Sequence, residues 1–231
     1  MAAGQIIIVA GTSGAGKTTT IETFPKRQND SYLMFGIDNL LGTMMPADYS
    51  LFGEKTKEGM YSYPEDPDDA DSRLAAGFGE IGWLGIHAFH EMIAAASRAG
   101  QNLIADHLAF VDPPILQDCV RRLEGLPVLL VNLKPPYDVL MERLATRQVH
   151  LPDTFEEVAR TPEENARLVI ANTMQKLTPW FYDASYKNDI WDIEIDTTQH
   201  SPEEVSRLIE ERLAEGPGTA FEQLRERYQD A

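Results

Sequence analysis

The sequence has little cysteine and no long apolar run. Its one cysteine, Cys119, excludes a disulfide within the chain and is typical of a reducing compartment, so we expect a cytoplasmic protein. No apolar stretch is long enough for a membrane-spanning helix, and the N-terminus lacks the basic and apolar regions of a secretory signal peptide. We therefore expect neither a membrane partner nor a signal peptide.

Basic residues are also scarce. The chain has 20 lysines and arginines against 37 aspartates and glutamates, which gives a net charge of −17. A general nucleic-acid-binding protein needs clustered cations for the phosphate backbone, so this class is excluded and no nucleic-acid partner is expected. In so acidic a chain, any cation beside a phosphate site has to offset the charge of the ligand locally.

One glycine-rich stretch organises the chain. Before it, residues 5–10 form a short apolar run that predicts a buried strand. After it, residues 18–24 predict a helix, which Pro25 ends. The stretch itself satisfies the pattern G-x-x-x-x-G-K-[ST] and consists of Gly11, Thr12, Ser13, Gly14, Ala15, Gly16, Lys17 and Thr18.

A strand, a glycine turn and a helix start are the parts of a phosphate-binding P-loop. The glycines allow backbone N–H groups to face phosphate oxygens, and the helix N-terminus adds its positive end. In this arrangement Lys17 contacts the β- and γ-phosphates and the Thr18 hydroxyl ligates Mg²⁺. We predict a nucleoside triphosphate site at residues 11–18, with Thr19 as the next residue of the same site.

Further strands alternate with helices along the chain. The strands are predicted at 32–38, 103–106, 127–133 and 191–196, and the helices at 77–98, after Asp112, and at 137–147, 162–178 and 202–214. This alternation predicts an α/β fold, a parallel sheet covered by helices on both faces, in which ligands bind beyond the carboxyl ends of the strands. Gly11, Asp38, Asp106 and Lys134 follow or end strands, so we expect them at one edge.

The length suits one domain, predicted at residues 1–215, followed by a tail at 216–231. Residues 43–76 show no periodicity, and they are interpreted either as an insertion that lines an acceptor pocket or as a packed surface flap. Residues 146–162 contain Pro152 and are predicted as a small lid. In the tail, Phe221, Leu224 and Tyr228 have helical spacing, which suits a docked final turn or a partner helix.

Two acids end predicted strands. Asp106 has the position of an Mg²⁺-binding acid, although it could instead cap the following helix. Asp38 could accept the proton of an attacking hydroxyl near the γ-phosphate, or it could be the N-cap of the segment that starts at Asn39. The residues alone leave both questions open.

The other candidates lie on predicted helices. Arg143 and Arg147 share a face and could contact a transferring phosphoryl group, or they could be exposed cations that suit a helix C-terminus. His87 and His90 are interpreted as ordinary helix residues because no third ligand has metal-site spacing. Cys119 is interpreted as a small buried apolar residue.

Taken together, these segments resemble the chloramphenicol phosphotransferase-like family of P-loop kinases. The resemblance runs from about residue 5 to 205 and is carried by residues 11–18, Phe35-Gly36-Ile37-Asp38-Asn39-Leu40, Leu103-Ile104-Ala105-Asp106, Glu142-Arg143 with Arg147, and Ile195-Asp196-Thr197-Thr198. It implies an adenylate-kinase-like, three-layer P-loop NTPase fold with a small lid. It also implies use of MgATP and transfer of its γ-phosphoryl group to a hydroxyl of a small molecule.

The resemblance further implies roles for particular residues. Asp38 is the expected catalytic base, Lys17 a catalytic phosphate ligand, and Arg143 and Arg147 phosphate or lid contacts. Thr197 and Thr198 are expected beside adenine.

One departure concerns the residue after Asp106. It is His107, where the drug-modifying member of the family has a second acid, so whether chloramphenicol itself is the acceptor is left open. The first interpretation is a small-molecule O-phosphotransferase of the antibiotic-modifying type. A metabolic kinase for a sugar, a shikimate-like acid or a nucleoside is the first alternative, and a nucleotide-dependent regulator or toxin-like switch is the second. Homo-oligomerisation is left open.

Overall fold

A computed structural model describes residues 2–69, 71–148 and 162–229, with side chains for all of these except 145–148 and 162–171. The strands are β1 Ile6–Ala10, β2 Tyr32–Gly36, β3 Met60–Pro64, β4 Leu74–Phe78, β5 Asn102–His107, β6 Val128–Leu133 and β7 Ile193–Ile195. The helices are α1 Lys17–Thr23, α2 Ile37–Asn39, α3 Glu80–Arg98, α4 Ile115–Arg122, α5 Tyr137–Gln148, α6 Pro162–Ser185, α7 Pro202–Ala214 and α8 Ala220–Arg227.

The central sheet has five strands in the order β2-β5-β1-β6-β7, and every pairing in it is parallel. The register places Ala10 opposite His107 on one side and Asn132 on the other. Every residue of β1 is buried, as expected for a strand covered on both faces. Because the strands run in one direction, the segments after β1, β2, β5 and β6 meet at one edge, as the sequence predicted.

Helices cover both faces of this sheet. On one face Ile6 and Ile8 belong to a core that includes residues of α3, α4, α6 and α8. On the other face Ile7 and Val9 pack in a second core with residues of α1 and α7. The predicted α/β fold with a parallel sheet between two helical layers is therefore confirmed. None of the described helices combines the length and apolar character that a bilayer crossing requires.

The region between residues 36 and 80 differs most from the sequence prediction. β2 ends at Gly36, and Ile37 and Asp38 are helical rather than extended. A π-helical turn follows at Leu40–Met44, and β3 and β4 then form an antiparallel hairpin. The prediction that 43–76 lacks regular structure was therefore wrong, because β3 lies within this range and pairs with β4, which begins in it at Leu74. α3 begins at Glu80, after the hairpin, rather than at residue 77.

The bounds of the other helices differ less from the sequence prediction. α4, the helix predicted after Asp112, begins at Ile115 with Pro114 as its N-cap. α6 continues to Ser185 with Pro179 inside it. Ser201 and Glu204 form a capping box at the start of α7, where the sequence predicts a helix from residue 202. Most of the predicted lid lies outside the described residues.

The tail packs against the body of the same chain. Phe221 and Leu224 on α8 are buried in the core that includes residues of α3 and α4. The helical spacing of the tail thus corresponds to a helix that docks on its own domain.

Candidate nucleotide and phosphoryl-transfer site

The glycine-rich stretch forms a tight turn between β1 and α1. Gly11, Gly14 and Gly16 have φ values of 144°, 83° and 103°, in the region that side-chain-bearing residues rarely adopt. A Cβ atom at Gly11 would also lie 2.7 Å from the Leu133 carbonyl oxygen. The backbone conformation that a P-loop needs is therefore reached, and Gly16 serves as the N-cap of α1.

Lys17 is the buried cation of this turn. Its side chain is buried, and its ammonium group donates a hydrogen bond to the Thr12 carbonyl at 3.2 Å. The Thr18 and Thr19 side chains are exposed at the start of α1. The first N–H groups of a helix have no partner within the helix. The turn therefore offers an ammonium group, free amides and hydroxyls, a donor set that suits a nucleotide phosphate and its magnesium ion.

Arg143 connects α5 to the P-loop and to the segment after β7. Its guanidinium donates to the Gly14 carbonyl at 3.3 Å, to Thr197 Oγ1 at 3.1 Å and to the Thr197 carbonyl at 3.3 Å. Thr197 Oγ1 in turn donates to the Ala15 carbonyl at 3.0 Å. The structure thus brings Arg143 and Thr197 to the predicted nucleotide site, while the side chain of Arg147 is outside the described part.

A cleft of about 290 Å³ lies beside this contact. It is lined by Gly14, Gly16, Thr19, Thr20, Arg143, Thr197, His200, Pro202 and Val205. Thr198 is close by, where its hydroxyl donates to Asp196 at 2.7 Å. The cleft joins P-loop backbone, a guanidinium and apolar side chains, a combination that suits a nucleobase and ribose.

Asp106 is the buried acid of the edge. It is 4 % exposed, and its Oδ1 accepts a hydrogen bond of 2.6 Å from the Ile37 N–H. Burial and the nearby Asp38 carboxylate raise the pKa of Asp106 to about 6, while Lys17 and the backbone N–H of Ile37 oppose the rise. Asp106 therefore caps the start of α2, which follows the neighbouring strand β2, and not the next helix along the chain.

Asp38 lies in the first turn of α2, and its side chain is exposed. The N-cap of that turn is Gly36, so the structure does not place Asp38 in the alternative capping role. Lys17, Asp38 and Asp106 lie close enough that both other charges act on the pKa of Asp106. Three of the predicted site residues therefore meet at the edge of the sheet.

Behind this edge, two histidines and an acid form a fully buried chain. The Ala109 N–H donates to His107 Nδ1 at 2.9 Å, and the Nε2 atoms of His107 and His90 are 2.8 Å apart. His90 Nδ1 is 2.7 Å from Asp118 Oδ2. The acceptor role of His107 Nδ1 places its proton on Nε2, so each imidazole donates to the next group, ending at the carboxylate.

The same residues could be mistaken for a metal site, because ligand atoms of His90, His107 and Cys119 lie within 4.8 Å of one another. Metal ligation through His107 Nε2 would require a proton on Nδ1, which would then face the Ala109 N–H donor. Burial lowers the pKa of both histidines, which keeps them neutral. The arrangement is therefore a hydrogen-bonded chain, and His90 is more than the ordinary helix residue that its sequence spacing indicated.

Burial acts on the pKa of both neighbouring residues on α4, Asp118 and Cys119. For Asp118 burial acts to raise the pKa, but hydrogen bonds from His90, Arg121 and Arg122 and the nearby His87 ring bring it well below its usual value. Burial raises the pKa of the Cys119 thiol, which agrees with the interpretation of Cys119 as a small apolar residue.

Sequence reasoning missed several residues of the site. A Cβ atom at Gly36 would lie 3.2 Å from both Asp106 Oδ1 and Asn39 Nδ2, so a larger residue there would have to displace one of these side chains. Tyr186, directly after the end of α6, contacts the P-loop at Thr12, and no sequence motif predicts this contact. His200 and Val205 line the cleft although the sequence indicated only the helix cap between them.

Comparison with solved structures agrees with this architecture. The Mycobacterium tuberculosis APS kinase CysC, in complex with AMPPNP and APS, is 11 % identical, with a TM-score of 0.60 over 93 % of this chain and 99 % of that one. A protein from Chloroflexus aurantiacus described as a candidate kinase is 17 % identical, with a TM-score of 0.52 over 94 % of this chain and 99 % of that one. At these identities the likeness shows the fold.

Comparison with families is more specific. No curated protein matches the chain at a significant level. The family model described as chloramphenicol phosphotransferase-like protein matches residues 4–214, which cover nearly the whole chain. That range includes the P-loop, both acids of the edge, Arg143 and the segment after β7. The chain therefore belongs to the chloramphenicol phosphotransferase-like family of P-loop kinases.

Proposed function

We propose that the protein transfers the γ-phosphoryl group of ATP to a hydroxyl of an uncharged small molecule, with Asp38 as general base. The observation that carries this proposal is the meeting of Lys17, Asp106 and the exposed Asp38 carboxylate at the edge where the P-loop opens. Phosphoryl transfer needs a phosphate cradle, charge neutralisation and a group that orients the nucleophile, and these residues offer all three.

In the proposed reaction, Asp38 accepts the proton of the acceptor hydroxyl. The hydroxyl oxygen then forms a bond to the γ-phosphorus while the bond from that phosphorus to the bridging oxygen breaks, which releases ADP. Lys17 and Arg143 offset the negative charge of the phosphates. Thr18 and Asp106 are the residues that would hold Mg²⁺, and the bound ion would offset the negative charge of the phosphates.

The cations on the acceptor side support an uncharged acceptor. Residues 39–90 contain three, which are Lys55, Lys57 and Arg73. Lys55 lies over the ring of Tyr49, Arg73 is paired with Glu65 and Asp183, and Lys57 is exposed. Of these three cations, Lys57 is therefore the one left for an acidic acceptor, whereas a neutral, partly apolar acceptor needs none.

The test is phosphorylation of a panel of hydroxylated compounds, read as a mass gain of one phosphoryl group per product. The panel contains neutral antibiotics, neutral sugars and nucleosides, and acidic alcohols of the shikimate type. We expect products from the neutral classes. Products from the acidic alcohols alone would contradict the assignment of acceptor class, and nucleotide binding without any product would favour a regulatory protein.

The role of Asp38 has its own test. Asp38→Asn keeps the size and hydrogen-bonding capacity of the side chain but removes the base. We expect ATP affinity within a few-fold of wild type and a phosphoryl-transfer rate lower by ~10²–10⁴.

Asp48→Asn, at another exposed acid in the first turn of a short helix, is the matched control and should leave both quantities unchanged. Full transfer activity in Asp38→Asn would remove the assignment of the base.

A further inference from the structure

The phenol of Tyr186 lies between the P-loop and the end of β6. Its hydroxyl donates a hydrogen bond to the Leu133 carbonyl at 2.8 Å and accepts one from the Thr12 N–H at 3.5 Å. Tyr186 follows the last residue of α6, so it reaches the nucleotide site from a part of the chain 174 residues away. This hydroxyl therefore contacts the Thr12 N–H in the P-loop turn.

The other side of Thr12 is held by residues of the P-loop itself. Its carbonyl accepts hydrogen bonds of 3.2 Å from the Lys17 ammonium and 3.2 Å from the Ala15 N–H. The Thr12 side chain is 1 % exposed, and within the described residues its hydroxyl has no hydrogen-bond partner. Thr12 is therefore held through its backbone groups, with the Tyr186 hydroxyl at its N–H and the Lys17 ammonium at its carbonyl.

The ring of Tyr186 has one neighbour on α6 and one directly after β6. Its centroid is 4.7 Å from that of Tyr182, which is 4.8 Å from that of Tyr137, both in edge-on contacts. The Lys134 ammonium lies 5.8 Å from the Tyr186 centroid. Tyr137 is the first residue of α5, the helix that also carries Arg143. Burial raises the pKa of Tyr186, so the phenol remains a hydrogen-bond donor throughout the working pH range.

We propose that Tyr186 is a positioning residue of the nucleotide site, which sets the place of the Lys17 ammonium by fixing the Thr12 peptide that this ammonium contacts. The proposal rests on the proposed function only for its effect on turnover. Its effect on nucleotide affinity can be measured without knowledge of the acceptor.

The first experiment removes one hydroxyl group. Tyr186→Phe keeps the ring and its aromatic contacts but removes the bonds to Thr12 and Leu133. We expect the affinity for MgADP, measured by titration calorimetry, and kcat to fall by about three- to tenfold, the size expected for one neutral hydrogen bond. The matched control is Tyr182→Phe, which changes the neighbouring ring of the same ladder and should leave both quantities at the wild-type level.

The second experiment asks whether Tyr186 acts through Lys17. In a double-mutant cycle, Tyr186→Phe should have little further effect on MgADP affinity once Lys17→Ala is present. A merely structural role predicts the opposite, because a loss of global stability would be independent of Lys17. Fully additive losses would contradict the proposed route through Lys17.

Two further outcomes would overturn the proposal. Wild-type MgADP affinity in Tyr186→Phe would do so, whether or not the melting temperature falls. If this variant does not fold, amide hydrogen exchange of residues 11–17 in the nucleotide-free wild-type protein decides: we expect slow exchange at Thr12, and exchange at the rate of an open loop contradicts the contact. Nucleotide binding by wild type without phosphoryl transfer would reject the proposed function but leave this test intact.

Discussion

The proposed nucleotide side of the edge and the proposed acceptor side are built in different ways. On the nucleotide side, backbone carbonyls of Gly14, Ala15 and Thr12 are each bonded to a side chain of Arg143, Thr197 or Lys17. On the acceptor side, Asp38 is exposed on a short helical turn, and a π-helical turn and a two-stranded hairpin follow.

This difference matches the chemistry that each side has to perform. A triphosphate is the same in every turnover, so a rigid cradle with donors already in place lowers the cost of binding it. A surface built from a short turn and a hairpin can vary in shape without disturbing the sheet. We infer that nucleotide binding depends on few, strongly coupled residues, whereas acceptor recognition is distributed over the hairpin region.

The largest effect is expected from Lys17→Ala. It removes the ammonium that offsets phosphate charge and that contacts the Thr12 carbonyl. Turnover should fall by at least ~10²-fold, the size of a lost electrostatic contact to the transition state. Steady-state kinetics with saturating acceptor checks this, and unchanged activity would mean that the nucleotide site lies elsewhere.

Asp106 joins the two sides, and its protonation should make stability depend on pH. Its pKa is 3.8 in the unfolded reference and about 6 in the fold, so between these values the folded protein binds the proton more tightly. The resulting stabilisation is complete below pH 3.8 and is lost as the pH rises through about 6. Over that window its size is at most about 3 kcal/mol.

Asp106→Asn isolates this effect because it keeps an oxygen for the Ile37 N–H but cannot titrate. Urea unfolding at about pH 4.5 and about pH 7 measures the difference in free energy of unfolding between wild type and variant. We expect the variant to gain stability relative to wild type at the higher pH. Parallel pH profiles would show that the Asp106 carboxyl is not perturbed as described.

Arg143→Ala should act on the nucleotide side alone. It removes three hydrogen bonds to Gly14 and Thr197, so we expect kcat/KM for ATP to fall by about 10- to 10²-fold. Arg143→Lys is the matched control, since it keeps the charge but lacks the planar fork of donors, and it should recover only part of the loss. An equal effect on KM for the acceptor would contradict the separation of the two sides.

The smallest effect is expected from Arg73→Ala on the acceptor side. Its ion pairs with Glu65 and Asp183 are exposed, and such pairs contribute less than about 1 kcal/mol. The melting temperature should therefore fall by no more than about 2–4 °C, and KM for a neutral acceptor should stay unchanged. A large rise in KM for the acceptor would show that Arg73 binds it, which would favour an acidic substrate.

The predictability of the site follows the same division. Residues 11–18 could be predicted as a P-loop because local backbone geometry and contact with phosphate require the fixed positions of the motif. Asp38 and Asp106 could be chosen as candidates because the sequence predicts both at strand ends, and parallel strands bring their ends together. In the structure Asp38 lies in the helical turn after β2, and Asp106 is the last residue but one of β5. The hairpin of β3 and β4 was missed because its residues, mixed with glycine, proline and acids, show no period of their own.

Contacts between residues far apart in the sequence were harder to predict. The sequence left Asp106 as either an Mg²⁺ ligand or a cap of the next helix along the chain. The fold shows that the helix Asp106 caps is α2, from a neighbouring strand, and the Mg²⁺ role stays a proposal. His90 had no visible partner on its own helix, because its partners His107 and Asp118 come from β5 and α4. Such pairings depend on which strands and helices are neighbours, and no local pattern encodes that.

The sequence by itself determined the phosphate cradle, the alternation of strands and helices, and the family. These features depend on residues a few positions apart, whose backbone and side-chain requirements are local. Only the tertiary structure decided the neutral histidine chain, the clamp of Arg143 on Thr197 and the reach of Tyr186 to Thr12. Each of these joins segments far apart in the chain, and the hydrogen bonds form only after burial of the two cores has aligned the helices on the sheet.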